Sequence, residues 1–229
     1  VDQGCRVSVI GSNMLLGAAG SGFTPPAGLL AYWNLETDGN DGLGVSNMTA
    51  TDITFNGSEA VFGTNGTLIT PASALLDVTT DMTISAWVYA TSFGNYYSII
   101  NHMVGGGGAN NVNYHLVMFP DANIYLHTQN DSGPLCFNIS LSTWTHLAVT
   151  RDTSGNIEAF KNGSSIRTGS GSAPYSKPTA TTQIGSRADN YSYWPGRIRR
   201  VGIWSRILSG AEISFLYNSG SGRAYPDVI

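Results

Sequence analysis

Four arginines stand close together near the C-terminal end of the sequence. The chain of 229 residues has only 11 lysines and arginines, and the stretch GRIRRVGIWSR (residues 196–206) holds four of them: Arg197, Arg199, Arg200 and Arg206. A guanidinium group is a planar fork of five donors whose best partners are carboxylates and phosphates. This stretch therefore predicts ion pairs within the fold, a site for an acidic partner, or both.

The charge is divided unevenly along the chain. Residues 1–150 carry one basic side chain against ten acidic ones, residues 151–229 carry ten against five, and the halves sum to the net charge of -4. Such asymmetry indicates either a half that binds a polyanion or two halves that neutralise each other on folding. We favour neutralisation, because the sequence has no run of Lys and Arg interleaved with stacking aromatic residues. We therefore expect no nucleic acid partner.

The other side chains that could do chemistry are poorly arranged for catalysis. Glycoside hydrolysis needs two carboxyl groups at a fixed separation, and of the four glutamates only Glu36 has an acidic neighbour two residues away, Asp38. No Gly-x-Ser-x-Gly nucleophile motif occurs. The histidines are spaced too irregularly for a metal-binding motif: His102, His115, His127 and His146. The sequence predicts no catalytic residue, no metal ligands and a protein that is not an enzyme.

Short alternating segments separated by turn residues follow one another from Gly28 onward. Asn-Gly pairs at 56–57, 65–66 and 162–163 predict tight hairpins, because both residue types tolerate the positive φ of such turns. Helical periodicity occurs only in LSGAEISFLYN, where Ser209 and Glu212 match a capping box. Many short strands with almost no helix predict an all-β fold of two packed antiparallel sheets, with one short C-terminal helical turn.

The first 27 residues differ in composition from the rest. They are rich in Gly, Ala and Ser and end near a double proline, which predicts an N-terminal arm or linker (1–27) in front of one domain (28–229). No apolar stretch reaches the length of a membrane span. The N-terminus lacks a secretory signal, so we expect that a signal was removed or that none is used. Cys5 and Cys136 form one bridge or stay free, and we favour free thiols.

Seven segments occur in the order of a known family: GLLAYWNLE, DGNDG, MTISAWVYA, WTHLAVTRD, IEAFKNG, IGSR and GRIRRVGIWSRILSGAEISFLYN. From Gly28 to about Tyr217 the chain resembles the laminin G-like members of the concanavalin A-like lectin/glucanase superfamily, of the type found in tailed-phage structural proteins and bacterial surface proteins. The resemblance implies jelly-roll connectivity. Independently of it, Trp87 and Trp144 lie on or beside predicted strands, where such large apolar side chains are expected to fill the space between the two sheets.

The resemblance bears on metal binding. In relatives, acidic residues on the strand that corresponds to Gly196–Trp204, with an Asp/Asn-rich loop, often surround a structural calcium ion. Here the strand carries Arg199 and Arg200, and the loop retains Asp38 and Asp41. We expect one arginine to replace the metal by pairing with one of these aspartates; the alternative is that the arginines are solvated on an edge strand. No cofactor is expected, although the resemblance leaves structural calcium open.

Aromatic loops are the candidate ligand contacts, because loops on a rigid scaffold commonly carry function and exposed rings suit sugar or protein surfaces. The candidates are Tyr96, Tyr97, Asp189, Tyr191, Tyr193 and Trp194. We expect a non-catalytic structural or recognition protein on a tailed-phage virion surface, as a capsid decoration or tail fibre component. The alternative is an extracellular bacterial carbohydrate-binding or adhesion module. Expected partners are virion or cell-surface proteins that contact the arm, a surface glycan, and further copies of the chain.

Overall fold

The computed structural model describes residues 26–105, 110–129, 133–189 and 191–229. Residues 1–25, with Cys5 and most of the predicted arm, lie outside the described residues, whereas Cys136 is buried and has a free thiol. No helix among the described residues is long and apolar enough to cross a membrane. The strands are β1 Leu29–Trp33, β2 Thr49–Phe55, β3 Ala60–Ile69, β4 Met82–Ala90, β5 Tyr97–Met103, β6 Val112–Met118, β7 Asn123–His127, β8 Leu135–Asn138, β9 Thr145–Arg151, β10 Asn156–Lys161, β11 Ser164–Ser170, β12 Thr181–Ile184 and β13 Gly196–Trp204.

These strands form two antiparallel layers, which confirms the predicted all-β sandwich. The back layer has the order β1–β13–β4–β9–β10–β11, and the front layer has the order β2–β3–β12–β5–β6–β7–β8. The two layers join where β13 pairs with β3 over two residues, Arg197 with Val61 and Ile198 with Ala60. Because consecutive strands such as β4 and β5 lie in different layers, the chain crosses between the layers repeatedly, as in a jelly roll.

The main core lies between the layers. Strand β4 points Ile84, Ala86 and Val88 inward, in agreement with their alternation in the sequence. The tryptophans of this core are Trp33 and Trp194, so the prediction for Trp87 and Trp144 is wrong. Trp87 lies on the opposite side of β4, where it stacks on Tyr217, and Trp144 is half-buried.

A second, smaller core covers part of the outer face of the back layer. The helix α1, Gly210–Tyr217, begins at Ser209 with the predicted capping box to Glu212. Together with the C-terminal segment it buries one end of that face, through Tyr32, Ala148, Phe160, Trp204, Leu208, Ile213, Leu216 and Val228. The rest of the outer face extends beyond the helix.

Replacing Ile198 tests the junction of the two layers. Its side chain is fully buried on the short segment of β13 that pairs with both β3 and β4. We expect Ile198→Ala to lower the free energy of unfolding by about 2–5 kcal/mol, because it leaves a cavity. The matched control Ile166→Ala lies on β11, where the side chain is exposed, and should change stability by less than about 0.5 kcal/mol. Chemical denaturation measures both; equal effects would contradict this account of the core.

Candidate ligand-binding site

Two loops that the sequence analysis selected meet at one end of the sandwich. The first precedes β5 and contains Tyr96; the second spans residues 185–195 and connects β12 to β13. The backbone N–H of Ser98 donates to the carbonyl of Ser192 at 2.7 Å, and that of Thr91 donates to the carbonyl of Pro195 at 2.7 Å. These hydrogen bonds hold the two loops side by side.

The structure separates the predicted ligand residues into two groups. Tyr96 and Tyr191 are 48% and 67% exposed, and Asp189 is partly exposed beside them in the second loop. Tyr97 instead packs against the main core. Trp194 is 1% exposed, and its indole N–H donates to the carbonyl of Arg197 at 3.2 Å.

Trp194 is therefore a buried core residue and not a ligand contact, whereas the role of the partly buried Tyr97 stays a prediction. Trp194 turns inward because its backbone N–H closes the loop on the carbonyl of Gly185 at 2.7 Å. Tyr97 turns inward because it begins β5 on the core-facing side of the strand. Tyr193 is half-buried, and its role as a ligand contact stays a prediction.

Aromatic side chains that the sequence analysis did not select extend the site across the front layer. The ring of Tyr96 meets that of Phe119 at 4.8 Å, Phe119 meets Tyr125 at 4.4 Å, and Phe119 meets His127 at 5.4 Å. We call these four residues the aromatic cluster. In the β7 sequence NIYLH, Tyr125 and His127 alternate with the core residues Ile124 and Leu126. This alternation is the sequence feature that could have placed both rings on the outer face of the front layer.

A row of polar side chains crosses the same face of the front layer. Gln183 pairs with Asn101, Asn101 with His115, and His115 with His127 in adjacent strands. A bulge at Ile99 brings Ser98 onto this face, so that its hydroxyl lies 3.1 Å from both the Asn101 amide nitrogen and the His115 Nε2 atom. This buried row fixes the strands that carry the accessible rings.

The second loop adds an ion pair beside the row. The Arg187 guanidinium donates to both Asp189 carboxylate oxygens, at 2.8 and 2.6 Å, which lowers the pKa of Asp189 and raises that of Arg187. Burial, with smaller contributions from His127 and Arg187, lowers the pKa of His115 to about 3. The His115 ring is therefore neutral at physiological pH and acts as a hydrogen-bonding group.

Among the described residues, the site has no carboxylate pair suited to hydrolysis. Asp189 is held by Arg187, and each of the four glutamates accepts a hydrogen bond elsewhere: Glu36 from Arg200, Glu59 from Arg197, Glu158 from Ser165 and Glu212 from Arg206. Within the same residues, no three His, Cys, Asp or Glu side chains come together as a metal site. Exposed rings with an adjacent ion pair can bind a ligand by stacking and hydrogen bonding.

Comparison with models of protein families identifies the family of this chain. The model of Laminin_G_3, described as the concanavalin A-like lectin/glucanases superfamily, matches residues 62–214, which is more than half of the sequence. The chain belongs to this superfamily. Among curated proteins none matches the chain.

Solved structures of the same fold include proteins of several kinds. The structure aligns with Trypanosoma rangeli sialidase in complex with 2,3-difluoro-KDN at a TM-score of 0.67 and 15% identity, over 84% of this chain but only 33% of the sialidase. Domain 4 of AbnA, a GH43 extracellular arabinanase from Geobacillus stearothermophilus, in complex with arabinotriose, aligns at 0.62 and 17%, over 82% of this chain and 97% of that domain.

A third solved structure is the receptor binding domain of botulinum neurotoxin C/D mosaic serotype. It aligns at a TM-score of 0.64 and 18% identity, over 84% of this chain and 51% of that one. At these identities the similarities concern the fold. The chain spans only about a third of the sialidases that it resembles.

The arginine substitution expected from the laminin G-like resemblance involves a different acid. Arg200 pairs with Glu36 at 3.2 Å and not with Asp38 or Asp41. Asp41 instead organises its own loop, because its carboxylate accepts backbone N–H groups of Tyr32, Val45 and Ser46 at 2.8–3.2 Å. The Asp38 carboxylate accepts both hydrogen bonds from the neighbouring Asn40.

The edge-strand alternative is also wrong, since β13 lies between β4 and β1 in the back layer. Its two arginines differ in role: Arg200 joins the end of the first strand to the last strand through Glu36, and Arg199 makes no ion pair among the described residues. A calcium ion needs several free oxygen ligands with net negative charge. Because the carboxylates of Asp38 and Asp41 already accept hydrogen bonds and two arginines lie on the strand, the residues present do not fit such a site.

Replacing Glu36 tests this ion pair. We expect Glu36→Gln to lower the free energy of unfolding by about 1 kcal/mol, the range of a partly exposed pair. The matched control Asp38→Asn should leave stability nearly unchanged, because Asp38 contacts only its own exposed turn. Chemical denaturation compares the two variants. A larger loss for Asp38→Asn, or stabilisation of the wild type by added calcium, would restore the pairing or the metal site expected from the sequence.

Two buried histidines predict a loss of stability in acid. Burial lowers the pKa of His146 to about 3, as for His115, while an unfolded histidine titrates near its ordinary value of 6.5. Between these values the unfolded state binds more protons. Stability is therefore complete above about pH 6.5 and falls as the pH decreases toward 3, by about 1.4 kcal/mol per pH unit for each histidine.

Denaturation at pH 7, 6 and 5 measures this slope. His146→Gln removes one proton-binding group, so its slope should be shallower than that of the wild type by about 1.4 kcal/mol per pH unit. This comparison holds even if the variant is less stable at every pH. An unchanged slope would show that His146 is not buried in its neutral form.

Proposed function

We propose that this domain is a non-catalytic recognition domain that binds a saccharide at the aromatic cluster and the adjoining second loop. The observation that carries the proposal is the continuous set of ring contacts from Tyr96 to His127, next to the Arg187–Asp189 pair and the exposed Tyr191. A sugar ring presents C–H faces and hydroxyl groups. Exposed aromatic faces and nearby polar groups match both.

The fold similarities support this proposal. The arabinanase domain that aligns with the chain over nearly its whole length was solved with arabinotriose, and the toxin domain is a receptor-binding domain. The absence of a catalytic role is supported by the glutamates, which serve structural partners outside the aromatic cluster. A buried, neutral His115 beneath the cluster adds rigidity to the site.

We place the domain on the surface of a tailed-phage virion, as a capsid decoration or tail fibre component. The resemblance to laminin G-like phage proteins supports this context, with residues 1–27 as the arm that contacts other virion proteins. The alternative is a secreted bacterial carbohydrate-binding or adhesion module, which the arabinanase similarity favours. A defined oligomer or ordering of the arm by a virion protein supports the first context; glycan binding by the isolated domain without any such assembly supports the second.

Glycan-array binding followed by titration calorimetry tests saccharide recognition. We expect Tyr96→Ala and Tyr191→Ala each to weaken binding of a retained glycan by about three- to ten-fold, because each removes a ring face. The matched control is Tyr175→Ala, an exposed tyrosine in the segment that contacts the far end of β5 through Lys177 and His102. Equal losses for all three variants, or no glycan bound by the wild type, would refute the site. Hydrolysis of a bound polysaccharide would refute the non-catalytic role.

A further inference from the structure

The uncovered part of the back layer carries guanidinium groups and aromatic rings in alternation. Arg197 lies over the ring of Tyr89 at 4.7 Å, Tyr89 meets Trp144 at 5.6 Å, and Arg199 lies over Trp144 at 4.4 Å. We call these four residues the arginine ledge. All four are half-buried, so they form part of the accessible surface beside the second core.

Strand register brings these residues together. Arg197 is paired with Tyr89 and Arg199 with Trp87 on adjacent strands, and Trp144 directly precedes β9, the other neighbour of β4. Because neighbouring strands place paired residues on the same face, the side chains assemble from three separate parts of the sequence. The ledge lies on the back layer, whereas the aromatic cluster lies on the front layer.

The charges of the three neighbouring arginines are balanced unequally. Arg197 pairs with Glu59 at 3.3 Å and Arg200 with Glu36 at 3.2 Å. Arg199 forms no ion pair and donates no hydrogen bond among the described residues, and its Nε atom is buried without an acceptor. The indole N–H of Trp87, which is 3% exposed, also lacks an acceptor there. The Trp87 indole nitrogen lies toward Gly222 under the C-terminal segment, so an incoming ligand would meet the half-buried guanidinium of Arg199, a cation that favours an anionic acceptor.

Burial and the nearby Arg200 lower the pKa of Arg199, and the carboxylates of Glu59 and Glu36, which are paired with other arginines, offset this only in part. A guanidinium that lies flat on an aromatic ring keeps its edge free to donate two parallel hydrogen bonds to a carboxylate. The partly desolvated position strengthens such bonds. Trp144 and Tyr89 provide adjacent ring surface for the body of the ligand.

We propose that the arginine ledge is a second binding site, which takes a saccharide bearing a carboxylate group. Arg199 binds the carboxylate, and Trp144 with Tyr89 contacts the sugar ring that carries it. A cation without a bonded carboxylate suits one ligand carboxylate better than a dense polyanion, which the net charge of -4 would repel. The site is separate from the aromatic cluster and extends the proposed saccharide recognition to acidic sugars.

A pair of oligosaccharides that differ by one charged group tests the proposal. The probe is xylotriose carrying one glucuronate, and its control is the same compound with the carboxylate converted to its methyl ester. We expect the wild type to bind the acid at least about ten-fold more tightly than the ester, because only the acid pairs with the guanidinium. Equal binding of the acid and the ester, or no saturable binding of the acid, would overturn the proposal.

Variants locate the binding. Arg199→Gln should weaken binding of the acid by about ten-fold or more and leave the ester unaffected. The matched control Arg167→Gln removes an exposed arginine of β11 and should change neither. Arg199→Lys keeps the charge but not the planar guanidinium, so it should bind the acid with intermediate affinity. If Arg199→Gln does not fold, Arg199→Lys tests whether Arg199 binds the carboxylate. Wild-type affinity in a folded Arg199 variant would refute the site.

Two further measurements distinguish saccharide binding at the arginine ledge from binding at the aromatic cluster and from general carboxylate binding. Tyr96→Ala should bind the acid like the wild type, since Tyr96 lies on the other layer; a loss there would assign the acid to the aromatic cluster. N-acetylglutamate presents a carboxylate without a sugar and should bind at least about ten-fold more weakly than the acid. Equal affinity for N-acetylglutamate would show a general carboxylate site and refute saccharide recognition by the ledge, without affecting the proposal for the aromatic cluster.

Discussion

The pairing of β13 with three other strands is the constraint on which the rest of the structure depends. Its first residues pair with β3 and β4, and its last residues pair with β1 and β4. Between these parts the ladder is interrupted, and Arg200 adopts a left-handed conformation with φ of 53°. The strand can therefore join the front layer at one end and the first strand at the other. The same bulge breaks the alternation of side chains, which explains how neighbouring arginines can both lie near Tyr32 and influence its pKa.

The entry of β13 into the sheet requires glycine. Gly196 has φ of 144°, and a Cβ atom there would lie 2.1 Å from the carbonyl oxygen of Tyr89, so no other residue fits without displacing β4. The loop that ends at this glycine begins at Gly185, which packs against the ring of Phe62 and also has positive φ. One connection of about ten residues therefore positions Asp189 and Tyr191 on one side and leads directly to the arginines on the other.

Alternation within single strands made the architecture predictable. The inward residues of β4 and the capping box of α1 were visible in the sequence because each depends on neighbours along the chain. Contacts between side chains on different strands could not be predicted in this way. Trp87 was expected in the main core, although it alternates with core residues, because size alone suggested burial. Trp194 was selected as a loop residue, but the closure of its loop on Gly185 turns it inward. The aromatic cluster joins residues from loops and strands whose registers the sequence does not specify.

The arginines illustrate the same difference between linear and spatial patterns. The sequence has no run of basic residues interleaved with aromatic ones, yet the fold produces that interleaving when Arg197 and Arg199 meet Tyr89 and Trp144 across three strands. An ion pair of Arg199 or Arg200 with Asp38 or Asp41 was expected, whereas Arg200 pairs with Glu36, because Asp41 is needed to satisfy buried backbone donors of its own loop. Once Glu36 and Glu59 are committed to Arg200 and Arg197, no carboxylate remains for Arg199 among the described residues. The uneven charge of the two halves is thus only partly neutralised on folding, and Arg199 remains without an ion pair in the part of the chain that the structure describes, while its guanidinium lies 4.4 Å from the ring centre of Trp144.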